Sequence, residues 1–188
     1  MAGYGVPEFI GDVKAILAED GPSERGLGRI AERMAELIKN PEIQAAEATS
    51  NVHVGGPSSG PVYADESGLT LMRARFGPEE MTPIHNHGAW GVVGVYRGRD
   101  RYQVWRRRDP AADARPGHAD VELVEERILE PGDTIVLPPP PQDIHAQQGA
   151  DGQTVHELVL FGANLRGKPR LYFDPATRTA REVMPGQR

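Results

Sequence analysis

The chain has no cysteine. That excludes disulfides, thiolate metal ligands and cysteine nucleophiles, so a bound metal must be held by His, Asp or Glu. No apolar run approaches the ~20 residues that a membrane span needs. The first residues, MAGYGVPEFIGDVK, lack the apolar core of a secretory signal. Positive charge is not in excess: 21 Lys and Arg against 27 Asp and Glu leave a formal charge of −6, which argues against a nucleic-acid partner. A cytoplasmic protein with no membrane and no nucleic-acid partner is therefore expected.

What is present divides the chain in two. Phe9, Ile10, Val13, Ile16 and Leu17 follow helical spacing, and Gly21-Pro22 ends that stripe. Leu27, Ile30, Ala31, Met34, Leu37 and Ile38 form a second stripe, ended by Asn40-Pro41, and a short third helix fits residues 41–47. Residues 1–50 are thus expected as a helical extension packed on a β-domain of residues 51–188. A partner-binding or homodimer-forming helix pair is the alternative. Most of the 22 glycines and 17 prolines lie beyond residue 55, which is the punctuation of turn-rich β-structure. Residues 48–65 read as a connection carrying a solvated His53. Residues 69–76 (LTLMRARF) alternate as a half-buried strand, with Arg73 and Arg75 on one face. Residues 91–107 read as a hairpin turning at Gly98. His118 lies in a polar loop, four prolines at 138–141 suggest a stiff polyproline stretch, and residues 168–183 suggest a closing hairpin. Trp90 and Trp105 read as core or barrel-mouth residues.

Residues 81–98, MTPIHNHGAWGVVGVYRG, carry the chemistry. His85 and His87 are one residue apart, so in an extended strand both rings point to one face. Neutral imidazole suits zinc, iron, copper or nickel. A third ligand is required, and His145 follows the unit PGDTIVLPPPP on a segment able to run beside the first pair. Positions 89 and 91 continue the face of the pair and are Ala and Gly, so no carboxylate joins the histidines. Three neutral ligands leave a dication uncompensated. That favours an anionic, chelating substrate, a thiolate above all. The plainer alternative for His85 and His87 is a cross-strand surface pair, and for His156 a hydrogen-bonded strand histidine. Glu157 should face away from His156.

HNHGAWGVVGVYRG resembles the first cupin motif and GDTIVLPPPPQDIH the second. Over roughly residues 70–165 the chain resembles the cupins, and within them the thiol dioxygenases that act on cysteine or mercaptopropionate. The resemblance implies a mainly β fold, a double-stranded β-helix barrel with an N-terminal helical extension. It implies an Fe(II) site at His85, His87 and His145, with nickel or zinc as the metals that could replace iron on purification. The family's Ser-His-Tyr relay corresponds to Thr154, His156 and Leu158, with His156 orienting the substrate or oxygen. The family's carboxylate-binding arginine corresponds to Arg166 or Arg170, with Arg73 or Arg75 as substitutes. Bacterial members commonly carry glycine at the family's crosslinking position, as Gly91 does here. The implied partners are a small thiol, a mercapto-acid rather than cysteine, and O2. Two alternatives stand beside this: a metal cupin of another reaction class (an isomerase or a carbon–carbon-cleaving dioxygenase), and a non-catalytic cupin that binds a small ligand or metal.

Overall fold

Helices α1 (Val6–Asp20) and α2 (Glu24–Leu37) form where the apolar stripes run. Ser23 caps α2 by accepting a hydrogen bond at Oγ from the Gly26 amide, 3.1 Å away, one of the donors a helix start leaves open. A short α3 covers Pro41–Ala45. A computed structural model describes residues 3–45, 61–109 and 115–184 of the chain. His53 lies outside the described residues. Among those residues no helix is long and apolar enough to cross a membrane.

The remainder is β-structure. The strands are β1 (Tyr63–Ala64), β2 (Thr70–Phe76), β3 (Ile84–His85), β4 (Gly91–Arg97), β5 (Asp100–Arg107), β6 (Gly117–His118), β7 (Val121–Leu129), β8 (Thr134–Leu137), β9 (Ile144–Gly149), β10 (Val155–Phe161), β11 (Arg170–Asp174) and β12 (Thr179–Val183). They build two antiparallel sheets, one of five strands in the order β1-β2-β10-β4-β8 and one of seven in the order β6-β12-β11-β3-β9-β5-β7. From β2 to β11 the chain passes repeatedly from one sheet to the other. That is the two-sheet, double-stranded β-helix arrangement, which curls both sheets around a shared interior.

The alternation along each strand sets two packing layers. Inward positions Ala74, Val93, Val95, Tyr102, Val159 and Phe161 form the barrel interior. Outward positions Leu71, Val92, Tyr96, Leu158 and Leu160 of the five-stranded sheet pack with Phe9, Val13, Leu27, Ile30, Met34 and Leu37. The two helices therefore cover that sheet and bury its outer face. Gly94 allows the close approach: a Cβ there would stand 2.7 Å from Met34 Cγ and 3.1 Å from Ile38 Cγ2. Trp90 packs against this helical layer, and Trp105 packs against a third cluster on the outside of the seven-stranded sheet.

Two expectations from sequence are corrected. Residues 91–107 do not form a hairpin: β4 pairs with β10 and β8, whereas β5 pairs with β9 and β7. At Gly98, φ is +76°, and a Cβ there would collide with the Thr154 carbonyl oxygen, so the turn is pressed against the end of β10 and sends the chain into the opposite sheet. The prolines at 138–141 do not form an extended rod either. They make a turn with a cis Pro140–Pro141 bond, closed by the Gln142 amide donating to the Pro139 carbonyl at 3.2 Å. That turn carries the chain from β8 across to β9. The closing hairpin does form, as β11 paired with β12.

Candidate metal centre

His85 sits on β3 directly opposite His145 on β9. His87 lies beyond the end of β3, so the two-residue spacing works through a short extended segment rather than a long strand. The ring centroids are 4.8 Å apart for His85 and His87, 4.5 Å for His85 and His145, and 5.0 Å for His87 and His145. All three side chains are buried, at 7%, 7% and 5% exposure in chain order. One ligand atom from each lies within 4.8 Å of the others, and no other described residues form such a group of three.

Several interactions aim these rings. His85 Nδ1 stands 2.8 Å from the Pro83 carbonyl oxygen, which can only accept. Nδ1 is therefore the protonated nitrogen, and Nε2 presents the lone pair. His87 Nε2 and His145 Nε2 are 2.9 Å apart. At that separation, two ring nitrogens turned to one point would be able to hold one ion between them. The Phe161 ring lies 4.6 Å from His87, Tyr102 5.2 Å from His145, and Tyr172 5.9 Å from His85. These rings wall the site with apolar surface.

The electrostatics favour metal over proton. Burial pushes the His85 pKa down to about 3, with the nearby Arg170 charge adding to the effect. His87 and His145 are held well below the usual histidine value, again first by burial. All three therefore stand neutral near pH 7, with their lone pairs available. No carboxylate belongs to the group, so the donor set is three imidazoles. That set suits zinc, iron, copper or nickel rather than calcium or magnesium.

Arg170 opens β11 and faces the same interior as Tyr172 two residues on, opposite in parity to Leu171 and Phe173, which belong to the outer cluster. Its side chain keeps a partial opening to solvent, but desolvation holds its pKa below the ordinary arginine value. Its charge is felt by all three histidines. It has no salt-bridge partner among the described residues. A guanidinium without a salt-bridge partner, beside three neutral rings, is chemically able to receive an anion.

The other sequence candidates fall elsewhere. Arg166 is exposed in the turn before β11. Arg73 and Arg75 stand opposite Leu158 and His156 on the outer face of the five-stranded sheet. His156 itself is outward: it shares that face with Leu158 and Leu160, meets the Tyr96 ring at 6.0 Å, and lies 3.0–3.2 Å from Arg97 Nη2. Leu158 is buried under the helices, and Thr154 precedes β10 with its carbonyl against Gly98. The relay assigned to Thr154, His156 and Leu158 therefore does not reach the three histidines. The reason is strand parity: positions 157, 159 and 161 point inward, so the even positions of β10 cannot. His118 is exposed on β6.

Three residues beside the site escaped sequence reading. Tyr172 repeats the parity of Arg170, and Tyr102 that of Val104, which pairs with His145. Asp143 stands two residues before His145, the same-face spacing that singled out His85 and His87. Each was legible only once the register was known.

No protein-family model matches the chain. Among solved structures, an oxalate oxidase in complex with glycolate aligns at 21% identity and TM-score 0.41, covering 52% of this chain and 43% of that one. A cupin-like protein from Thermotoga maritima aligns at 20% and 0.40, covering 57% and 66%. A Klebsiella pneumoniae protein with a double-stranded β-helix domain aligns at 12% and 0.40, covering 70% and 84%. The chain thus spans less than half of the oxalate oxidase. What these proteins bind or catalyse is a property of those proteins.

Proposed function

We propose that the chain is an iron-dependent dioxygenase that oxidises a small mercapto-acid to its sulfinate. The observation that supports this reading is Arg170 beside three neutral imidazoles with no carboxylate among them. A ferrous ion on three neutral ligands carries an uncompensated double charge, and Arg170 adds a third positive charge. A thiolate that also bears a carboxylate answers both with one molecule.

Ferrous iron held by His85, His87 and His145 would supply the redox chemistry that joins dioxygen to sulfur. In the net reaction both oxygen atoms end on sulfur. Sulfur loses four electrons and dioxygen gains four, so no external reductant is required. The chain's own residues bind and orient. The three imidazoles stay unprotonated and give their lone pairs. Arg170 binds the carboxylate and so fixes where the thiol end lies. Phe161, Tyr102 and Tyr172 keep water from the reacting end. Burial raises the Tyr172 pKa, so its phenol stays protonated and adds no negative charge.

A second reading has its own support. With His156 and Leu158 on the outer face of the five-stranded sheet and Thr154 ahead of β10, these residues do not form the relay expected of a thiol oxygenase. That favours a different metal-assisted reaction on another carboxylate-bearing chelator, such as an isomerisation or a carbon–carbon cleavage. Oxygen uptake by anaerobically iron-loaded protein separates the two. Uptake and sulfinate formation with 3-mercaptopropionate support the first reading. Silence across a thiol panel, with turnover of a diketone or hydroxy-acid, establishes the second.

A further inference from the structure

The barrel interior holds a second polar group, apart from the histidines. Glu157 projects inward from β10, flanked in register by Ala74 and Val95 on the neighbouring strands. Asp100 opens β5 in the opposite sheet. Both side chains are 0% exposed. Gln147 of β9 donates its Nε2 to Glu157 Oε2 at 3.1 Å, and the Gln148 amide donates to Asp100 Oδ1 at 3.3 Å. Glu157 Oε1 and Asp100 Oδ2 are left buried with no donor facing them.

Two ionised carboxylates can only accept, so they cannot satisfy one another. These two carboxyls nevertheless stand within side-chain hydrogen-bonding reach of each other. One proton between them satisfies both orphaned oxygens and removes one of two buried charges. A cation is the other way to gather two carboxylates. Gln147, however, turns an N–H donor towards Glu157 where a cation would call for an oxygen. Among the described residues, no cation acts on either acid. β2 and β4 present Ala74 and Val95, β9 presents Gln147 and Gly149, and β5 presents Tyr102, whose phenol is kept protonated by burial and by both acids. Arg127 of β7 acts on Tyr102 and forms its ion pair with Glu125.

We propose that Asp100 and Glu157 share one proton and thereby latch the two sheets together inside the barrel, and that loss of this proton at alkaline pH releases the latch. The pair joins β10 of one sheet to β5 of the other, and through Gln147 to β9. Asp100 lies four residues from Val104, which is paired with His145, or about 13 Å along the strand. The latch is therefore separate from the three histidines and needs neither metal nor substrate. Once deprotonated, the pair would be two buried negative charges facing each other.

The sign of the pH effect follows. Burial raises the pKa of both acids above their unfolded values; the Asp100 charge adds to the rise of Glu157, while the hydrogen bond from Glu157 only partly offsets the rise of Asp100, so the folded chain binds more protons than the unfolded one. The stability contributed is complete below the ordinary carboxylate range and is lost as pH rises through the raised values.

The test uses the full metal-free chain, with Glu157→Gln and Asp100→Asn as variants. Infrared spectra should show the carbonyl stretch of a neutral carboxylic acid at pH 7 in the wild type, absent in Glu157→Gln. Between pH 5 and 9 the unfolding constant of the wild type should rise relative to that of Glu157→Gln, by up to about tenfold per pH unit. A wild type with no neutral-acid band, or pH slopes that run parallel in both proteins, would overturn the proposal. So would a sodium, magnesium or calcium ion that is bound to the wild type and lost with either substitution. If Glu157→Gln does not fold, the wild-type infrared titration and Asp100→Asn decide in the same terms.

Discussion

Asp143 holds His87 in place through the backbone. Its Oδ2 accepts hydrogen bonds from the His87 amide at 2.9 Å and the Gly88 amide at 2.6 Å. The side chain thus ties the segment carrying the first two histidines to the strand carrying the third. Asp143→Ala should leave two amides unpaired and lower divalent-metal affinity by about 10–100-fold, with about 1–3 kcal/mol lost in stability. Asp143→Asn keeps an accepting oxygen and should lie much closer to wild type. Titration of metal into both variants checks the order.

The pH response of the metal-free protein should carry the signature of three buried neutral imidazoles. Their folded pKa values are lowered, to about 3 for His85 and well below the usual value for His87 and His145. The unfolded chain therefore binds more protons. The stability is present above about pH 6.5 and is lost as pH falls from there towards the lowered values. Denaturant titrations between pH 4 and 8 should show a steep acid loss, reduced when His85 is replaced by an uncharged residue. A flat profile would mean that the rings are not buried.

Arg170→Ala should raise the KM for 3-mercaptopropionate more than tenfold and leave a thiol without a carboxylate nearly unaffected. Arg166→Ala, in the exposed turn, should change neither. Equal effects of Arg170→Ala on both substrates would remove the guanidinium from substrate binding.

His156→Ala should leave kcat and KM within about threefold, because the ring lies on the outer face of the five-stranded sheet. Its cost should appear in stability, as about 1–3 kcal/mol expected for a buried polar contact removed. A collapse of kcat at unchanged metal content would place the ring inside the barrel.

The apolar stripes of residues 9–17 and 27–38 gave α1 and α2, because helical spacing is a local signal. His85, His87 and His145 were legible because same-face spacing and a three-ligand requirement are local chemistry. The partners of β4 and β5 were not legible: a turn at Gly98 looks the same whether its strands pair or part, and only the opposite sheet decides. His156 was misplaced for a related reason. Every residue of β10 is buried, Leu158 and Leu160 under the helices and Val155, Val159 and Phe161 in the barrel, so the sequence shows no alternation by which to choose a face. Asp100 and Glu157 are 57 residues apart in the chain and meet only when the sheets close.

The most direct measurement is the stoichiometry of divalent metal in wild type, His85→Ala and His145→Ala, each refolded or purified metal-free and equilibrated with ferrous iron under anaerobic conditions. One ion per wild-type chain is expected, with none retained by either variant at the same concentration. Full occupancy in either variant, or none in the wild type, would contradict a site built from these three imidazoles.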